Sequence, residues 1–173
     1  MMTQSGKKRI LALLLTAAAG AALHFLYSAL PGPITALVSP VNESIWEHTK
    51  IILWPYLLAA VLINRGGEKH CLRPWLLTAL ILVAAMLSLG YLYHIALGGE
   101  SMVFDIGLYL ILMALGFVLP KLFPGPWNGL LWELVLWITV ALAVAVLLFT
   151  FFPPEGILFT DLSGANTWSR IPC

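Results

Sequence analysis

Four apolar runs of about twenty residues, and a fifth that turns apolar only after a polar opening, restrict this chain to a lipid bilayer. A helix of roughly 20 residues crosses the ~30 Å hydrocarbon core, and it satisfies its own backbone where no water can. The runs predict helices over about 8–30, 40–64, 74–97, 102–119 and 127–152, followed by a polar tail, 153–173. Breakers separate them: Pro31-Gly32-Pro33, Arg65-Gly66-Gly67, Gly98-Gly99, Pro120 and Pro153-Pro154. Ser39-Pro40 reads as an N-cap followed by proline at the first helical position, and Pro55 as a kink inside the second helix.

Composition agrees. Of 173 residues, 61% are hydrophobic and 10% charged, against about half and about a quarter in soluble domains. The expected architecture is an all-α polytopic bundle of about five transmembrane helices, one integral membrane domain over 1–173. Nothing in it offers a basic face for nucleic acid, so the bilayer is the expected partner and self-association stays open. Five spans do not divide into two equal inverted halves, which disfavours a repeat transporter. The run after Lys7-Lys8-Arg9 is long enough to be retained as a helix rather than cleaved as a signal. Cys71 and Cys173 have neither metal-ligand spacing nor a disulfide framework.

Seven of the nine Lys and Arg (Lys7, Lys8, Arg9, Arg65, Lys69, Arg73, Lys121) fall on the side of the N-terminus, and only Lys50 and Arg170 on the other. The positive-inside rule therefore predicts the N-terminus in the cytoplasm and the C-terminus outside. Most acidic residues and three of four histidines gather at the outer level.

The polar opening of the second run, Ser39 to Lys50, holds Glu43, Glu47, His48 and Lys50 in a chain with few charges. Ionisable groups at membrane depth are costly and usually serve a site. If helical, this stretch stacks Glu43 on Glu47 and Ser44 on His48, with Glu47 and Lys50 free to form a surface ion pair. His24, His94 and Asp105 lie at the same level on three other helices. The expected outward-facing pocket is lined by His24, Asn42, Glu43, Trp46, Glu47, His48, His94 and Asp105, with Asp161 of the tail as a lid. Imidazoles with carboxylates suit zinc or a related divalent metal, with His24, His48, His94 and Asp105 as metal ligands and Glu43 or Glu47 as a catalytic base. No metalloprotease spacing, phosphate loop or nucleophile elbow accompanies them.

The segments His24-Phe25-Leu26-Tyr27 and Ser39-Pro-Val-Asn-Glu-Ser-Ile-Trp-Glu-His48, with Lys50 and Pro55, resemble the bacterial membrane family called domain of unknown function 6512. In the tail, Leu158-Phe159-Thr160-Asp161 is similar to that family's pattern, although Leu162 replaces a proline. The resemblance implies a multi-pass protein of the bacterial cytoplasmic membrane and supplies no reaction. Three readings follow: a pocket for a small molecule, lipid headgroup, metal or proton; a metal-dependent hydrolase at the outer leaflet; or a structural plug that docks a partner.

Overall fold

The computed structural model describes residues 6–65, 71–123 and 129–163, all helical or irregular, with no strand among them. Six α-helices follow one another: α1 Gly6–Ala29, α2 Pro33–Val38, α3 Thr49–Ile63, α4 Arg73–Gly90, α5 Met102–Val118 and α6 Leu130–Phe151. Four segments are long and apolar enough to cross a membrane: Gly6–Ala29, Arg73–Ala96, Met102–Leu122 and Leu130–Phe151. The chain is a helical membrane bundle.

The second predicted helix is the main correction. Helix α3 starts at Thr49, not at Pro40, and residues 40–48 form turns instead. Ser39 does not cap it. Its hydroxyl donates to the Leu23 carbonyl and accepts from the Tyr27 N–H at 2.9 Å. Those two α1 groups would otherwise close one turn on each other, so Ser39 is wedged into the ladder of α1 just beside His24. The short apolar link before it coils into the helix α2. Smaller differences follow the same boundaries: α4 passes at Tyr91–Ala96 into a π-helical turn, and α5 ends in a 3₁₀ turn at Leu119–Leu122. The tail is not all loop, since Ile157–Phe159 forms a 3₁₀ turn. Residues 164–173, with Arg170 and Cys173, and also Lys69 and Trp127, lie outside the described residues.

Helix α3 is central. At 15 residues it is the shortest of the long helices, and it packs against α1, α4, α5 and α6. Ile52, Leu53, Tyr56 and Ala60 are essentially without solvent contact. The Tyr56 ring meets Trp75 and Phe117 with centroids 5.7 and 6.3 Å away, and its hydroxyl donates to the Gly116 carbonyl at 2.7 Å. Pro55 has no N–H to offer the Ile51 carbonyl one turn back. That oxygen instead faces Gly20 of α1, where any Cβ would collide with it and with the Tyr109 hydroxyl. Tyr109 in turn donates to the Ala17 carbonyl at 2.7 Å. Gly20 is thus the point of closest approach of α1 to the centre. His24, one turn further along the same face, is carried over the turns at 40–48.

The outer helices keep apolar side chains exposed, among them Leu14, Leu15 and Phe25 of α1 and Leu130, Leu131 and Trp137 of α6. Such surfaces belong against lipid tails. Lipid gives neighbouring helices no hydrophobic drive, so close contact rests on small residues such as Gly20 and Gly116.

Candidate functional site

The turns of residues 39–48 split the charged stretch into two halves with different tasks. Asn42 accepts from the Ser44 N–H at 3.1 Å through its own side chain, a local turn that keeps the segment from continuing as helix. Glu43 and Glu47 consequently do not stack, against the helical expectation. Glu47 points inward and Glu43 outward.

The inward half is a closed polar knot. The Lys50 ammonium is fully buried and donates to Glu47 Oε2 at 2.6 Å, to the Ala36 carbonyl at 2.8 Å and to the Ser39 carbonyl at 3.3 Å. The same Glu47 oxygen accepts from the Val41 N–H at 2.8 Å, and the Glu47 N–H bonds to Ser44 Oγ. The expected surface pair is therefore a buried one, and its bonds fasten α2 and residues 39–41 to the start of α3. Committed in this way, Glu47 is not placed as a catalytic base. Trp46 is core rather than pocket lining. Its ring packs 5.4 Å from Phe149 and 5.1 Å from Phe159, and its buried indole N–H has no hydrogen-bond partner.

The outward half is where histidines meet. His48 and His24 lie with ring centroids 5.2 Å apart. Glu43 Oε2 is 3.2 Å from His48 Nε2. One ligand-type atom from each of His24, Glu43 and His48 lies within 4.8 Å of the other two. His48 Nδ1 is 2.8 Å from the Ser44 carbonyl. A carbonyl can only accept, so Nδ1 carries the hydrogen and Nε2 is aimed at the cluster. His24 Nδ1 is buried and unpartnered.

His94 and Asp105 form a separate pair. Nε2 of His94 is 2.8 Å from Asp105 Oδ1, and Nδ1 is 2.9 Å from the Gly99 carbonyl. Both ring nitrogens are thus engaged, and the expected convergence of three histidines reduces to two. The π turn places His94 on that side, and Tyr93 stacks on Phe104 at 3.6 Å to hold it. Asp161 of the tail, expected as a lid, reaches the turns: its Oδ1 accepts from the Glu43 N–H at 3.3 Å and the Ser163 N–H at 2.9 Å. The backbone N–H of Trp46, also in the turns, donates to the Leu158 carbonyl at 2.9 Å.

The hydrogen bond from His48 holds the Glu43 carboxyl below its usual range. For His48, burial pulls the imidazole down, but its bonds to Glu43 and Ser44, with the charges of Glu43 and Asp105, raise it overall. The signs set a stability window. Glu43, depressed in the fold, contributes above its unfolded value near 4.5 and loses that contribution as pH falls through its folded value. His48, raised in the fold, contributes below its unfolded value near 6.5 and loses it as pH rises through its folded value. Melting temperature in detergent with a chelator should therefore peak between pH 4.5 and 6.5 and fall on both sides. In Glu43→Gln the curve should flatten at both limbs, and an unchanged profile would contradict the pair.

Sequence reasoning missed Ser39 as a wedge, Lys50 as a buried clamp and Ser44 as the orienter of His48. For Lys50 a signal was present: of the nine Lys and Arg, it and Arg170 alone fall on the outer side of the charge bias.

Together these features define a polytopic helical membrane protein with a His–Glu–His cluster at one end of the bundle. Residues 1–166 match the family of unknown function DUF6512, and the chain belongs to that family. No curated protein and no solved structure matches it.

Proposed function

We propose that this is a metal-binding membrane protein whose divalent ion is held by His24, Glu43 and His48. The carrying observation is that three ligand-type atoms lie within 4.8 Å of one another. Zinc holds nitrogen and oxygen ligands at about 2.0–2.2 Å, roughly 3.4 Å from one another in a tetrahedral site, so seating it needs a contraction of up to about 1.4 Å at the widest separation. Two further features support the reading. His48 donates Nδ1–H to a backbone carbonyl, the outer bond that fixes ring and tautomer in metal-bound histidines. In the metal-free protein the proton on Nε2 faces Glu43, a positive charge where the ion would add a larger one.

Purified protein dialysed against zinc-containing buffer should carry about one zinc per chain by elemental analysis, with the melting temperature raised by excess metal. Less than about a tenth of an equivalent, with no uptake of added zinc or manganese, sinks the proposal, since dedicated sites hold metal tightly.

A second reading, metal-dependent hydrolysis at the membrane surface, is favoured by the ligand set. Two imidazoles and one carboxylate leave a position for water, which zinc acidifies toward neutrality. His94, with both nitrogens engaged, is not among the ligands in this reading. The charge bias supports a site at the outer face of a cytoplasmic membrane.

A further inference from the structure

We infer that the cleft between α1 and α3 is a binding site for one acyl chain of an anionic phospholipid, with the lipid phosphate on Arg9. The cleft has a volume of about 210 Å³ and is almost wholly apolar. Ala12, Thr16 and Ala19 line it from α1, and Pro55, Ala59 and Ile63 from α3. Small side chains on both walls open it. The hydroxyl of Thr16, the polar group among these, is spent on the Ala12 carbonyl at 2.7 Å, so the walls ask nothing of an occupant but methylene contact. Above Ala19 the cleft ends where Gly20 meets Ile51, which separates it from the His–Glu–His cluster.

Depth and charge select the occupant. From Arg9 to Ala19 is ten residues of helix, about 15 Å, which is half of a ~30 Å hydrocarbon core. The lining on α1 runs from Ala12 to Ala19, about 10 Å, so Arg9 and the cleft together reach from the interface to the midplane of one leaflet, as a lipid tail does. Arg9 stands two turns below Thr16 on the same face of α1, at the interfacial mouth. Its Nε is buried and has no hydrogen-bond partner. A planar guanidinium with an unused donor is suited to paired bonds with phosphate oxygens. Arg65, just beyond the end of α3, is exposed and adds positive potential at that level. A second copy of the chain would bring another apolar helix to the cleft and leave Arg9 without its anion.

The test uses the full-length protein in mild detergent, with phosphatidylglycerol and phosphatidylcholine of equal chain length titrated separately and read by native mass spectrometry. Wild type should retain a single phosphatidylglycerol with at least about fivefold preference. Arg9→Gln should abolish the preference while leaving residual binding of both lipids, and Lys8→Gln, an exposed charge in the same turn, should leave it intact. Ala19→Leu fills the cleft from an exposed position and should lower retention of both lipids. The melting temperature of each variant checks that it folds. Equal retention of the two lipids by wild type overturns the inference. So does an equal loss in Lys8→Gln and Arg9→Gln, which would mean diffuse surface charge. A wild-type dimer that Ala19→Leu converts to monomer would assign the cleft to a second copy and also overturn it.

Discussion

Glu47→Ala should destabilise the protein by about 3–5 kcal/mol, the usual cost of stripping one partner from a buried ion pair. The Lys50 ammonium would keep its two carbonyl acceptors but lose its counter-charge, and the Val41 N–H would lose its acceptor. Lys50→Met should be similarly damaging, because it strands the Glu47 carboxylate. The double variant Glu47→Leu/Lys50→Met should be less harmful than the sum of the two single variants. Removing both charges together avoids an unpaired ion, as a double-mutant cycle would show. Thermal unfolding in detergent measures all three. Additive losses would mean that the pair is solvated and the knot is not what holds α2 to α3.

The second large effect falls on the other half of the same stretch. His48→Ala and His24→Ala should each weaken zinc binding by about 100-fold or more, beyond the 10–100-fold typical of losing an outer partner. Their metal-free melting temperatures should stay much closer to wild type than that of Glu47→Ala. Glu43, whose side chain is 48% exposed, should behave as the histidines do. Isothermal titration with zinc gives the affinities. If His94→Gln proved as damaging to zinc binding as His48→Ala, the two-histidine site would be wrong, because His94 is engaged with Asp105 and Gly99. Four residues apart, Glu43 and Glu47 thus carry opposite expectations: binding for one, stability for the other.

The spans were legible because lipid imposes a single rule on length and polarity. Helices α1, α4, α5 and α6 lie where the apolar runs put them, to within a few residues. The stretch around Glu43 was not, and the reason is physical. Ser39-Pro40 is a sound local signal for a helix start, but a serine hydroxyl wedged between Leu23 and Tyr27 is a tertiary bond with no local signature. Once the helix starts at Thr49 instead, the four-residue stacking of Glu43 on Glu47 lapses. That His24 and His48 share a depth could be read from the runs. That they share a cluster depends on Gly20 letting α1 approach α3, and that His94 turns elsewhere depends on a π turn, which adds a residue that regular periodicity does not count.

The bonds from the tail to the turns bear on the order of assembly. Leu158 receives the Trp46 N–H, and Asp161 receives that of Glu43 across 118 positions of sequence. Chains are made from the N-terminus at about 5–20 residues per second. His24, Glu43 and His48 therefore leave the ribosome several seconds before the strap that holds them. Until α6 has inserted and the segment after it has folded back, Glu43 and His48 sit on an unfastened loop beside His24 of α1. On the proposed metal-binding reading, loading of an ion would be a late event of biogenesis, and a nascent chain stalled before Leu158 would carry every proposed ligand without the bonds from the tail.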